Sequence, residues 1–533
     1  MAADSCEVEF NRLKVLIMPQ RIQKRRLETI KIAAKKRGVN TVCELSAEVT
    51  HVVTEFETME QVVRALKMDN VASLGNVETV SLRWLTDCFK AGKVIPVTEE
   101  YRLKLEMLES SQNGNEADDK HPSLLPEWAC QRATPLEHYN HRLTTDIETL
   151  QLHSELRDQE QDYSRALAFR RASCVLKCLP FRVTDISQIS NIKDVGDHVK
   201  RVVKDILEDG FSSEVDEMNN NAWFNKMKLF TGVFGVGPST AKKWIERGWT
   251  SIQDAAEAED LSKDWRVRWG LAFHEELQTR VERPEADNFM FMVRAEAQRI
   301  LPGTTVELTG GFRRGKKTGH DVDLLISHPQ EGAEVGLLPR LLKQLENRGL
   351  ILCGSYERNS FTEDVLRQDF KLSQRGQLDH FEKWLGICKF PKQFATTQNG
   401  QDVVQEAAGM TPSSSKLSGS MEEDYEPKAK LRKLGCIDKC PRSVASEERD
   451  WLARRVDLIV APYSQYYYAL VGWTGSKHFN RDLRLYATRV LGMKLMSHGL
   501  YNISKDCVVP AGSEKEVFDN MQIPYREPTQ RNC

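Results

Sequence analysis

The sequence predicts a multidomain protein with α/β and all-α parts, and three observations lead there. The chain has 533 residues, more than one hydrophobic core usually encloses. Short β-rich runs alternate with amphipathic helices through residues 1–105, as in an open sheet covered by helices. Far downstream, two apolar runs read as strands although a long polar stretch separates them: Asp321 to Ile326, and Arg454 to Val460. A second sheet assembled from distant segments follows.

Composition narrows the classes. At 40% hydrophobic and 29% charged residues the chain is a globular one. A net charge of −2 means that any surface for a polyanion is local rather than global. The twelve cysteines are scattered without CxxC pairs, and the spacings Cys174/Cys178 and Cys436/Cys440 do not suit zinc. A reduced intracellular protein without disulfides or structural zinc is expected. No apolar stretch approaches the roughly 20 residues of a membrane span, and the acidic start, Asp4 and Glu7, is no signal peptide. Basic clusters at Lys24–Arg26, Lys35–Arg37 and Lys428–Lys433 suit nuclear import, solvated helix faces or phosphate contacts.

In chain order, Val15–Met18 reads as a strand, residues 22–37 as a basic helix stopped by Gly38, and Val42 and Thr50–Val53 as further strands. A later helix carries Ser81–Cys88, with Trp84 as a core residue. This order resembles a BRCT domain. Residues 106–122 lack apolar periodicity and read as a flexible linker within 106–135. Leu229–Ala241 combines an apolar helix, the Gly235-Val236-Gly237 turn, and Pro238, Ser239 and Thr240 at a new helix start. Backbone N–H groups at such a start bind phosphate without reading a base. The segment resembles a helix-hairpin-helix motif. Ile189–Lys200 looks like a second copy or a plain helical hairpin, with Asp194 where the first glycine would stand. Residues 392–450 are Gly/Ser/Lys/Glu-rich and read as an insertion without order, looping out between a strand at Ile387–Phe390 and the strand of Asp457.

The chemistry concentrates in Thr309–Asp323. Asp321 and Asp323 stand two apart at a strand start, so both carboxylates face one side. Hard oxygen ligands at that spacing suit Mg²⁺, which completes its shell with water and substrate phosphates. Gly310 and Gly311 let the backbone approach a phosphate chain. Arg313, Arg314, Lys316 and Lys317 supply charge for it. Asp457, the only acid in its run, supplies a third carboxylate. Two metal ions held by such a set can clamp the attacking and leaving oxygens of an in-line displacement.

A BRCT-like module, helix-hairpin-helix elements and a split carboxylate triad, in that order, resemble family X DNA polymerases. Trp128–Arg132, Arg171–Lys177 and Gly472–Lys477 carry strings of the polymerase mu and terminal deoxynucleotidyltransferase branches. His328–Gly332, Gly336–Arg340, Lys371–Gln374, Lys477 and Ser497–Leu500 side with mu. Arg481–Thr488 and Lys383 side with the transferase.

The resemblance implies the following domains: BRCT-like at 1–105, helical 8-kDa-type at 136–220, fingers at 221–288, palm with a mixed sheet at 289–470, and a small α+β thumb at 471–533. It implies Asp321, Asp323 and Asp457 as holders of two Mg²⁺ ions, replaceable by Mn²⁺. Gly310, Gly311, Arg314, Lys316, His320, Gly472, Trp473 and Lys477 would meet the nucleotide, and Gly235, Val236, Gly237, Arg481 and Arg484 the DNA. A loop around 354–377, with Lys371 and Lys383, would govern template independence. The implied activity is primer extension and gap filling in end joining, with weak sugar discrimination and some untemplated addition. The implied setting is a nuclear monomer acting on DNA ends, gaps and primer-templates with dNTPs and rNTPs. Its partners would be the Ku heterodimer and the end-joining ligase complex. Lyase members of the family carry a nucleophilic lysine after the first hairpin; Val202 stands there and cannot form a Schiff base. Template-independent transfer, and a non-catalytic BRCT adaptor, are the competing readings.

Overall fold

The computed structural model describes residues 10–103 (apart from 23, 57, 69, 75 and 76), 125–258, 264–362, 365, 379–395, 432–435 and 440–533. The expected linker at 106–122, Lys371 and most of the 392–450 insertion lie outside them. The chain divides into two compact units. One comprises Met1–Pro122, Thr184–Ser190 and Asp197–Met218; the other comprises Ser123–Val183, Asn191–Gly196 and Asn219–Cys533.

The first unit is built on a parallel sheet of β1 (Lys14–Ile17), β2 (Asn40–Val42), β3 (His51–Thr54) and β4 (Glu78–Ser81), in the order β2-β1-β3-β4. Parallel connections put helices on both faces, so the strands are apolar on both sides. Val15, Ile17 and Val53 pack with Trp84 and Leu85, while Leu16 and Val52 pack with Val62 and Val63. Helices α1 (Lys24–Lys36), α2 (Met59–Leu66) and α3 (Leu82–Ala91) supply the cover. Trp84 is fully buried, donates its indole N–H to the Ile95 carbonyl at 2.9 Å and stacks on His51, as a core residue does. Strand β4 has no counterpart in the sequence reading, because its four residues run straight into α3 without a turn signal. The helix Asp197–Asp209 buries Val199, Val202, Val203 and Ile206, an i, i+3, i+4, i+7 stripe.

In the second unit α4 (His141–Arg157) and α5 (Glu160–Cys178) run as a pair, tied by Ser173 Oγ donating to Glu148 at 2.9 Å. The expected helix-hairpin-helix forms from α6 (Ala222–Thr231) and α7 (Pro238–Glu246), with Gly237 capping α7 and Pro238 in its first turn. Phe230 meets Trp244 edge-on across the hairpin at 5.4 Å.

The six-stranded mixed sheet of this unit holds β5 (Thr305–Leu308), β6 (Asp321–Ser327), β7 (Ile351–Glu357), β8 (Glu382–Pro391), β9 (Arg432–Gly435) and β10 (Trp451–Val460), in the order β9-β7-β8-β10-β6-β5. Only the β10–β6 pairing is parallel. One face is sealed by α8 (Arg283–Ile300) and α10 (Leu337–Asn347), with α9 (Gly310–Arg313) a single turn between them in sequence. Phe289, Val293, Leu338, Leu341 and Leu342 bury Val322, Leu324, Val456 and Leu458 there. On the opposite face, Leu325 and Ile459 pack against Leu470 of α11 (Tyr466–Thr474). Beyond it, α12 (Lys477–Arg489), a sheet of β11 (Met493–Met496), β12 (Gly499–Asn502) and β13 (Cys507–Val509), and α13 (Glu514–Asn520) close a small core around Phe479 and Phe518. The expected divisions at 288/289 and 470/471 fall inside α8 and α11.

Candidate active site

Alternation along β6 and β10 decides which side chains meet. Val322 and Leu324 point into the sealed core, so Asp321 and Asp323 point the other way; the same holds for Val456 and Leu458 against Arg455 and Asp457. The parallel register sets Asp457 beside Asp323 and Arg455 beside Asp321. Adjacent strands lie roughly 4.8 Å apart, so three carboxylates share one small area.

Their charges are poorly compensated. The Arg455 guanidinium lies 3.5 Å from Asp321 and 3.8 Å from Asp457, and it is the one cation paired to the acids among the described residues. One oxygen of Asp457 is buried without a hydrogen-bond partner among the described residues. Burial, then the charges of Asp321 and Asp457, push the Asp323 carboxyl well above its usual range. Burial pushes Asp457 up to about 6 against the pull of Arg455. A carboxylate in this state gains from any further cation.

The turn before β6 completes the cradle. Thr309 donates its backbone N–H to the Asp323 carbonyl at 2.9 Å, which folds α9 back over the strand start. Gly310 has φ +58°, and a Cβ there would stand 2.2 Å from an Asp323 carboxylate oxygen. Only glycine fits. A Cβ on Gly311 would meet the Lys316 side chain at 3.2 Å. Arg314 donates from Nη1 to the Thr474 carbonyl at 2.5 Å, which joins this turn to the end of α11. Two tests on the structure therefore favour a divalent ion at Asp321, Asp323 and Asp457: an orphaned buried carboxylate oxygen, and a glycine whose side chain would fill the space. Among the described residues no three His, Cys, Asp or Glu side chains close into a cage by themselves.

The other sequence-read residues distribute as follows. His320 and Lys316 are exposed beside the triad. Gly472, half-buried Trp473 and Lys477 lie at the end of α11 and the start of α12. Gly472 borders a small cavity with Arg484 and Ser497, and a Cβ on it would stand 2.7 Å from the Ser497 hydroxyl oxygen. Arg481 and Arg484 are half-buried on α12. Lys383 is no loop residue: it sits on β8, 8% exposed, 3.4 Å from Glu357 and 3.9 Å from Asp379. Gly354 likewise belongs to β7, so the expected loop begins after Glu357. Gly235 has φ +89° and packs so tightly that a Cβ would stand 2.8 Å from Arg266 Cβ, while Gly237 faces open space. Its neighbour Phe234 lies under the Arg455 guanidinium at 4.9 Å, which connects the hairpin to the acids. In the second hairpin Asp194 adopts φ +70°, so the left-handed turn forms without glycine.

Sequence reasoning gave no role to Arg455, although its position two before Asp457 on a strand places it on the acids' face. It also passed over Asn532, whose contacts with Arg314 span most of the second unit's sequence.

Comparison with known proteins agrees with this geometry. Residues 280–463 match the DNA polymerase beta palm, 469–532 the DNA polymerase beta thumb, and 228–278 the fingers domain of DNA polymerase lambda. The human DNA-directed DNA/RNA polymerase mu is 34% identical over 528 residues, 98% of this chain and 95% of that one. The DNA nucleotidylexotransferase of Xenopus laevis is 32% identical over 528 residues (99% and 94%), and that of Bos taurus 33% over 540 (100% and 96%). With a palm, fingers and thumb matched in order and relatives aligned end to end, the chain belongs to the family X DNA polymerases and is a DNA nucleotidyltransferase.

Proposed function

We propose that this protein extends DNA 3′ ends chiefly under the direction of a template strand, filling gaps at broken ends in the manner of polymerase mu. The observation that supports nucleotidyl transfer at this site, common to both templated and untemplated readings, is the parallel register of Asp457 with Asp323, with an unpartnered carboxylate oxygen on one and Gly310 pressed against the other. Asp321, Asp323 and Asp457 would hold two Mg²⁺ ions, or Mn²⁺ in their place, which supply charge to acidify a primer 3′-hydroxyl and to neutralise a triphosphate. Gly310, Gly311, Arg314 and Lys316 would bind the triphosphate, with His320 beside the incoming nucleotide. Gly472 and Trp473 would line the sugar, and Lys477, Arg481 and Arg484 would face nucleotide and template. The hairpin at Gly235, Val236 and Gly237 would hold backbone phosphate at the α7 start. Identities of 32–34% to both branches do not choose between them. The mu-type strings favour the templated reading, and Lys383 with Arg481–Thr488 favours template-independent transfer.

The N-terminal unit, with its four parallel strands and buried Trp84, fits a BRCT domain that recruits the protein to Ku and the end-joining ligase complex in the nucleus. Val202 is fully buried on the apolar stripe of its helix, and the nearby Lys204 ammonium is paired with Glu55, which fits an absence of lyase chemistry. Primer extension on paired, gapped, blunt and overhanging ends tests the reading. Addition that is equally fast with and without an opposing template would replace it with the transferase alternative.

A further inference from the structure

The C-terminal residues are built into the site. Thr134 donates its N–H to the Gln530 carbonyl at 2.7 Å, and Asn532 donates its own to the Thr134 carbonyl at 2.9 Å. Arg531 is fully buried and donates to Glu514 at 2.8 Å and to the Arg526 carbonyl. Ser476 donates its N–H to the Arg531 carbonyl at 3.2 Å and its hydroxyl to the Cys533 carbonyl at 2.9 Å. A tail pinned at consecutive residues holds its side chains in place.

One of those side chains grips Arg314. Asn532, 7% exposed, accepts from Arg314 Nε at 3.2 Å, and its amide nitrogen donates to the carbonyls of Arg314 (3.2 Å) and Thr529 (2.9 Å). With Nη1 fixed on the Thr474 carbonyl, two edges of the guanidinium are committed. Nη2 has no hydrogen-bond partner among the described residues and lies on the Gly311 side, 3.9 Å from where a Cβ on Gly311 would stand. Both anchors are neutral oxygens. An acidic partner would fix the group as well and would also cancel the charge that a phosphate needs.

We propose that Asn532 is a positioning residue for nucleotide binding: its side-chain amide aims Arg314 at the triphosphate through a neutral contact, without adding a carboxylate to the guanidinium beyond the nearby Asp323, Asp321 and Cys533. This rests on the reading of Arg314 as a triphosphate ligand. The arrangement explains why an amide, with one acceptor and two donors, occupies this position. Removing the grip lets Arg314 sample other rotamers and weakens ground-state and transition-state binding alike, so the loss falls on KM rather than on kcat.

The test measures dNTP incorporation on a primer-template by the full-length protein, with DNA affinity and thermal unfolding as companions. Asn532→Leu keeps the volume but cannot hold the guanidinium. Asn532→Asp keeps the acceptor but adds a charge and loses both donors. Each is expected to raise KM for dNTP about tenfold, the scale of one charge-assisted contact, with kcat within about threefold and DNA binding close to wild type, while melting falls modestly because the Arg314 and Thr529 carbonyls lose their donor. In an Arg314→Ala background neither should add anything. If Asn532→Leu does not fold, Asn532→Asp decides alone. Unchanged KM in the Asn532 variants, where Arg314→Ala does raise it, overturns the proposal and leaves the role of Arg314 standing. So does a full Asn532 effect that persists without Arg314. An unchanged KM in Arg314→Ala itself overturns the underlying reading, and the proposal with it.

Discussion

Two sets of buried charges in the second unit differ in how they are paired. Glu514 receives Arg313 at 2.8 and 2.9 Å and Arg531 at 2.8 Å, and Glu285 receives Arg454 at 2.8 Å. Where β6 and β10 run side by side, three carboxylates stand together and only two of them, Asp321 and Asp457, meet Arg455, at 3.5 and 3.8 Å; an oxygen of Asp457 has no hydrogen bond among the described residues. Burial alone would raise Glu514, yet the two guanidiniums hold it below its ordinary value, whereas Asp457 is raised to about 6. The first arrangement is complete in itself. The second lacks a matching cation among the described residues, and that difference separates a structural acid from one we propose holds a metal. Consecutive residues show the contrast most directly: Arg454 turns to Glu285 and Arg455 to the triad, because neighbours on a strand face opposite sides.

The largest expected effect comes from removing the incomplete set. Asp457→Ala should lower nucleotide transfer by more than about a thousandfold, roughly 4 kcal/mol of barrier, with DNA affinity nearly unchanged because the hairpin backbone groups proposed to hold DNA are untouched. Folding stability should hold or rise, since an uncompensated charge disappears. Residual turnover within about tenfold of wild type would mean that Asp457 is not part of the catalytic set.

Glu514→Gln should do the reverse. It leaves Arg313 and Arg531 buried without their anion and should cost about 3–5 kcal/mol in urea unfolding. If stability falls by less than about 1 kcal/mol, the network is not the fixed structural element described here.

A third buried group sharpens the contrast by staying neutral. His498 Nε2 accepts the His380 backbone N–H at 2.8 Å, so Nδ1 carries the proton toward Gln465 Oε1 at 2.7 Å, and Phe361 stacks on the ring. Burial lowers its pKa to about 3, with help from His380 and Lys383. A depressed pKa contributes stability that is fully present above the unfolded value near 6.5 and lost as pH falls toward the folded one. Between pH 7 and 5 the wild type should therefore lose about 2 kcal/mol more than His498→Gln. Equal pH profiles would mean that His498 is not held neutral.

These contrasts also mark what the chain discloses without its structure. Asp321, Asp323 and Asp457 were legible because a two-residue period on an apolar run fixes their side of the sheet. The Gly235 hairpin was legible because its turn chemistry is local. Glu514 and Asn532 were not, since their partners lie 201 and 218 residues away, and no periodicity encodes a contact closed by tertiary packing. Lys383 failed as a loop residue for a related reason. Its strand begins one residue earlier, and only pairing with Ile459 reveals that.

The smallest effect belongs to a residue with no charge, and it asks whether substrate choice follows space instead. If Gly472 lines the sugar as proposed, it offers no bulk toward a 2′-hydroxyl, so dNTP over rNTP preference opposite one template base should stay below roughly a thousandfold, about 4 kcal/mol. The structure adds a constraint: a Cβ at 472 would stand 2.7 Å from Ser497 Oγ and 3.2 Å from Ser497 Cβ. The hydroxyl can rotate away but Cβ cannot, so Gly472→Tyr would perturb α11 and β11 before it touched a nucleotide. The cleaner comparison is Gly472→Ala with Ser497→Gly, which restores the space. That pair should fold like wild type and raise discrimination by about three- to tenfold, near 1 kcal/mol, since a methyl only begins to crowd the 2′ position. Gly472→Ala alone should instead cost about 1–3 kcal/mol of stability through overpacking. A folded double variant whose kcat/KM ratio for the two sugars equals that of wild type would assign the gate to another residue, with Trp473 the next to test.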